Sequence, residues 1–187
     1  MAPFIASLRL AVATMLICVV GYTMVILAVA RLSPDTAAGS LIAAADGKIV
    51  GSRLIGQNFA EPRYFWPRPS AAGKTGYDAT AAAGSNKSPT SEDLTARAQE
   101  LVARYGATPA KPLPADLAAA SGGGLDPHIS FNGAMFQADR VAQARGLGLP
   151  RVATLVERHA FAPGGALAPD RVVNVLELNL ALDALAK

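Results

Sequence analysis

The chain has one cysteine in 187 residues, Cys18, so no disulfide can form within it. It has two histidines, His128 and His159, far apart and without ligand residues at metal spacing, so no metal centre is expected. Charge of one sign is also scarce: 17 Lys and Arg stand against 14 Asp and Glu. Arg9 and Arg31 flank an apolar N-terminal run, which leaves the remainder close to neutral. A nucleic-acid surface would show a basic patch or stripe, and none is present. Gly73-Lys74-Thr75 has the ending of a phosphate loop, but Arg68 stands where the first glycine is required, and no strand leads into it. Asp126, His128 and Ser130 share the residue types of a hydrolytic triad. They crowd into five positions of one turn without a nucleophile elbow, an arrangement that seldom converges in space.

What is present begins with a long apolar run. Residues 10–30 carry no charge. At ~1.5 Å per residue a helix of that length spans roughly 30 Å, a bilayer core. Ala28-Val29-Ala30 has the form of a signal-peptidase site, so a cleaved signal is the rival reading. A signal core of about 7–15 residues is shorter than this run, which favours a retained anchor. The expected organisation is a tail over 1–9, a transmembrane helix over 10–31 and one soluble domain over 32–187. The basic residues near the two ends nearly balance. Orientation then follows from the short tail: an uncleaved export signal leaves the N-terminus cytoplasmic and the domain outside.

The domain is organised around 121–147. Three glycines after Ser121 permit a tight turn. Ser130 is placed to cap a helix that Gly146 stops. On that helix Phe131, Ala134, Met135, Ala138, Val141 and Ala142 share one face. Phe136, Gln137, Arg140 and Gln143 face the other way. A large aromatic on that side implies a covered face, and Gln137 with Arg140, one turn apart, could hold an anionic or carbonyl group.

Elsewhere the pattern is mixed. Strand-like 41–42 and 49–50 flank Asp46-Gly47, a hairpin signal. Residues 61–71 hold three prolines and the aromatic trio Tyr64, Phe65 and Trp66, which forbids regular structure. This loop either plugs the domain's own core or docks on a partner beside Arg63 and Arg68. An amphipathic helix follows Thr90 or Ser91, with Leu94, Ala98, Leu101, Val102 and Tyr105 on its apolar face and Gly106 as its stop. Asp93–Arg97 and Glu100–Arg104 stand at favourable i, i+4 spacing along it. A short helical turn is expected over 115–120. Pro150 opens a further helix in which Val152, Leu155, Val156 and His159 share a face, so His159 reads as a core-edge residue. Strand-like 172–175 leads into a closing helix through Leu176, Leu180, Leu182, Ala184 and Leu185. The fold class is therefore α+β: an N-terminal membrane helix, then one extracytoplasmic domain with a small sheet and several helices.

Several blocks, in order, resemble the C subunit of the Kdp potassium-transporting P-type ATPase: GSRLIGQNF at 51–59, YFWPRPSA at 64–71, SGGGLDPHIS at 121–130, QADRVAQARGL at 137–147 and VNVLELNLALD at 173–183. The GSNKSP turn at 84–89 departs from the family's GSNLGP. Gly73 occupies the aspartate position of a pump's D-K-T-G phosphorylation motif, so no phosphoenzyme can form there. The resemblance implies a non-catalytic accessory subunit of a high-affinity potassium uptake complex of the bacterial inner membrane. Its partners would be a potassium-channel-like subunit, the P-type pump subunit and the lipid bilayer, with no nucleic acid. It also implies a catalytic-chaperone role that raises the pump's affinity for ATP, the nucleotide being held only jointly with the pump. Carried to this chain, the nucleotide contacts would be Gln137 and Arg140 with Ser121, Gly122 and Gly123. The partner-facing residues would be Tyr64, Phe65, Trp66, Arg68 and Phe136. The alternative is an independent membrane-anchored binding module of the envelope. An exported hydrolase would instead depend on Ser130 or His128.

Overall fold

The computed structural model describes residues 2–44 and 46–185. Met1, Ala45, Ala186 and Lys187, which fall within the expected tail and domain, lie outside the described residues. The chain divides into two units, Met1–Leu41 and Ile42–Lys187.

The first unit is helical. One apolar helix of 29 residues, Ala2–Ala30, has a mean hydropathy of 2.5 and no buried residue within its unit. It is made of α1 (Ala2–Met15), a π-helical turn (Leu16–Gly21) and α2 (Tyr22–Ala30). It thus extends through Arg9 and starts eight residues before the uncharged run. The π turn has no signature in the apolar sequence, because every residue there is compatible with either helix. The four-residue α3 (Pro34–Ala37) follows, opened by a proline that cannot donate to a preceding turn.

The boundary between the units falls in β1 (Leu41–Ala43), which pairs with β2 (Ile49–Ser52) in a hairpin. Lys48 N donates to Asp46 Oδ1 at 3.0 Å, the side-chain turn that Asp-Gly favours. After a long irregular stretch come α4 (Glu92–Tyr105) and α5 (Ala115–Ala118). Then follow β3 (His128–Ser130), α6 (Phe131–Arg145), α7 (Leu149–His159), β4 (Ala160–Phe161), β5 (Val172–Asn174) and α8 (Val175–Leu185). The second sheet is antiparallel in the order β3-β5-β4, with Ile129 opposite Val173 and Ala160 opposite the same residue. The fold is thus α+β, an apolar N-terminal helix and a domain of helices with small antiparallel sheets.

The core lies between α6, α7, α8 and β5. Val152 and Val156 of α7, Ala138 and Val141 of α6, Leu178 and Leu182 of α8, and Val173 of β5 are all fully buried. The loop residue Phe65 completes this cluster at 0% exposure. Ser130 caps α6 by accepting from Gly133 N at 2.8 Å, while Asp116 of α5 accepts from Ser130 N and Oγ at 2.7 and 2.9 Å. The serine hydroxyl is therefore engaged on both sides.

Four local expectations are corrected. Strand β3 falls where the sequence offers only a turn; its three residues form a ladder because β5 lies beside them. Neither i, i+4 ion pair of α4 is present among the described residues; Asp93 pairs with Lys87 instead. Ser91 makes no side-chain cap to α4. On α8 the inward face is Val175, Leu176, Leu178, Asn179 and Leu182, whereas Ala184 is exposed and Leu180 only half-buried.

Candidate functional site

The proline-rich loop is held from both sides by side-chain amides. Gln137 is 1% exposed, although it lies on the helix face expected to point away from the core. Trp66 N donates to Gln137 Oε1 at 2.8 Å, and Gln137 Nε2 donates to Trp66 O at 3.1 Å. One residue earlier the same geometry recurs with α8: Phe65 N donates to Asn179 Oδ1 at 2.9 Å, and Asn179 Nδ2 donates to Phe65 O at 3.1 Å. Each amide acts as the missing neighbouring strand for one residue of a chain that prolines bar from any sheet. Four buried backbone groups are thereby satisfied, as burial demands.

Two arginines of α6 extend the clamp. Arg140 donates to Gln137 Oε1 at 2.7 Å and to the carbonyls of Tyr64, at 3.1 Å, and Pro62. Its guanidinium stacks 3.7 Å from the Trp66 ring centroid, and Arg104 lies over the same ring at 4.3 Å. Burial draws Arg140 down to about 10, so it remains charged at neutral pH. Arg145 Nε donates to Arg63 O at 2.7 Å, and its guanidinium pairs with Asp183 at 2.8 Å. Asp183 also accepts from the Tyr64 hydroxyl at 3.0 Å. Burial, then the bond to Asp183, raises the Tyr64 phenol.

The glycine turn is attached to the same loop further along. Ser121 N donates to Pro69 O at 3.2 Å, and Ser70 Oγ donates to Gly124 O at 2.6 Å. Gly124 has φ +73°, and a Cβ there would lie 2.7 Å from Ala83 O and 2.8 Å from Ala72 N, so this position requires glycine. Gly122 and Gly123 are exposed, with open space where a Cβ would sit. Arg68 donates to Asp126 Oδ2 at 3.0 Å, and Asp126 Oδ1 accepts from His128 N at 3.0 Å. Burial alone would raise the Asp126 carboxyl, but the bonds from His128 and Arg68 outweigh it and hold the group below its ordinary range. Asp126 thus bonds a backbone group of its own turn, the role its position in a turn implies.

The residues singled out in the sequence therefore gather around one loop. Phe65 and Trp66 lie inside the domain, at 0% and 7% exposure; Tyr64, Arg68 and Phe136 are half-buried. The loop aromatics plug the domain's own core. Phe136 covers Tyr105, with ring centroids 6.3 Å apart. Gln137 and Arg140 meet, as their spacing implies, and the carbonyls they hold belong to the chain itself. Ser121 joins the loop at Pro69 rather than at the residue Gln137 holds. Sequence reasoning missed Asn179, Arg145 and Asp183. For Asn179 the signal was a polar residue inside the apolar run of α8.

Comparison with known proteins gives one consistent match. The family model described as KdpC, K+-transporting ATPase, c chain, matches residues 4–184. The potassium-transporting ATPase KdpC subunit of Parvibaculum lavamentivorans is 66% identical over 184 residues, covering 98% of this chain and 97% of the relative. Those of Nitratidesulfovibrio vulgaris and Methylococcus capsulatus are each 51% identical, over 161 and 157 residues. They cover 83% and 82% of this chain, and 80% and 82% of the relatives.

Proposed function

Because the chain belongs to the KdpC family and is a non-catalytic subunit of the Kdp potassium-transporting ATPase, we propose that it acts as an assembly body. Its apolar helix joins the membrane part of the complex, and its domain seats outside the cytoplasm on the potassium-channel-like subunit, beside the P-type pump subunit. The observation that carries this reading is the double amide clamp. Gln137 and Asn179 immobilise Phe65 and Trp66, so the irregular loop becomes a rigid surface rather than a mobile one. A preformed surface loses little freedom on docking.

The N-terminus lies in the cytoplasm and the domain faces the periplasm in this reading. A reporter active on only one side of the membrane, fused after Lys187, tests it: activity on the cytoplasmic side would overturn it.

The effect on the pump's ATP affinity is exerted through assembly. A nucleotide contact by Gln137, Arg140, Ser121, Gly122 and Gly123 needs a rearranged state, since the Gln137 amide is filled at both ends by Trp66 and Arg140 occupies carbonyls of the loop. The deciding experiment is purification of the complex with and without the chain. Loss of potassium-stimulated ATP hydrolysis or of complex integrity without it is expected. Unchanged hydrolysis would sink the reading, and a chain that always purifies alone would point to an independent envelope module.

A further inference from the structure

A groove of about 510 Å³ lies on the domain surface between the end of α4 and the outer side of α6, lined by Tyr105, Lys111, Phe136, Asp139, Arg140 and Gln143. Its floor is aromatic: Tyr105 meets Phe136 and Trp66 edge-on. Cations stand around it. Lys111 Nζ lies 4.8 Å from the Phe136 centroid, and Arg140 of the lining stacks on Trp66; Arg104, which lines the adjoining pocket with Trp66, stacks on the same indole. The ion pairs among the described residues all lie elsewhere, so Lys111, Arg104 and Arg140 have no carboxylate partner. The carboxylate in the lining, Asp139, accepts from Gln143 at 2.9 Å. In a domain whose charges otherwise nearly balance, three unpaired cations are gathered on one aromatic row. A cation stacked on a ring keeps its full charge.

We infer that this groove receives an acidic segment of another subunit of the complex, with an Asp or Glu carboxylate toward Lys111, at the end of the aromatic row that Arg104 also flanks, and a neighbouring apolar side chain on Phe136 and Tyr105. This rests on the reading of the chain as an assembly subunit. The donor geometry favours a peptide over a free phosphate. A phosphate site converges several N–H groups on one point. Here Arg140 directs its donors to the loop carbonyls and Gln137.

The test uses the intact complex in detergent. Arg104 and Lys111 are exposed, so the double variant Arg104→Glu with Lys111→Glu should keep the fold, which an unchanged melting curve of the purified chain confirms. Retention of the variant in the complex should weaken about tenfold, with a flatter dependence on salt. In the wild-type complex, carbodiimide coupling should join Lys111 Nζ to an Asp or Glu of another subunit, a product that Lys111→Arg removes. Undiminished retention of the double variant, or coupling of Lys111 solely to Asp139, overturns the groove and leaves the assembly reading standing. A wild-type chain that never copurifies overturns both. Release of the chain by millimolar inorganic phosphate at constant ionic strength makes the groove a phosphate site and overturns the peptide occupant.

Discussion

Helices α4 and α6 are near twins in length, with 14 and 15 residues, and both stop at a left-handed glycine, Gly106 with φ 62° and Gly146 with φ 63°. Their surroundings are opposite. α4 has the clearer amphipathic pattern and not one buried residue. α6 has the weaker pattern and buries six: Gly133, Ala134, Gln137, Ala138, Val141 and Ala142. A strong moment reports that one side of a helix is polar enough to face water; it does not report how much the other side is covered. A helix packed on several sides loses its polar face, and with it the pattern. α6 is central because its small residues let α7 and the loop approach closely, and small residues contribute little to any pattern.

The largest break in that comparison should come from the loop side of α6. Phe65→Ala removes a fully buried ring from the core and is expected to cost about 3–5 kcal/mol. Trp66 is the single tryptophan, so its fluorescence during urea unfolding reads the clamp directly; a cost below about 1 kcal/mol would mean the loop is not part of the core. Next is Gln137→Leu, which leaves the buried N–H and C=O of Trp66 without partners, at about 3 kcal/mol. A variant as stable as the wild type would refute the clamp.

On the α4 side Tyr105→Ala should cost only about 1–2 kcal/mol, since the phenol is half-buried and its contacts are edge-on rings. Hydrogen exchange should likewise be faster in α4 than in α6, and equal protection would erase the contrast. Burial pushes the Tyr105 hydroxyl up to about 12, so it stays protonated across the working range. A smaller effect is expected at the glycine turn. The Asp126 carboxyl titrates below its unfolded value, so its contribution is present above that value and fades as pH falls through the folded one, below about pH 4. The stability gap between wild type and Asp126→Asn should close on acidification; a gap that persists at about pH 2–3, near the lower limit of carboxylate titration, would remove the carboxylate from that role. Val102→Ser, on the exposed part of α4, should stay within about 0.5 kcal/mol of wild type.

Much of the fold was legible because its signals are local. The uncharged run needs only its own composition to be apolar. Asp46-Gly47 makes its turn with the next backbone N–H, and Ser130 caps the helix that starts beside it. Gly106 and Gly146 stop their helices wherever those helices pack. The candidate site was half legible. Gln137, Arg140 and the aromatic trio stood out as residue types, but the sequence set them in separate segments, with roles left open between a ligand and the chain itself. The α4 ion pairs failed for a related reason: exposed partners at favourable spacing are weakly held, and Lys87 competes for Asp93.

The sequence by itself determined the glycine stops of α4 and α6, the Ser130 cap, the apolar N-terminal span, the stiff aromatic loop and the family. Only the tertiary structure decided which polar groups are interior. Gln137 meets Trp66 across 71 positions and Asn179 meets Phe65 across 114. A buried amide and a solvated one have the same covalent neighbours. What separates them is whether a backbone without a sheet partner arrives on that side of the helix, and that is settled by packing.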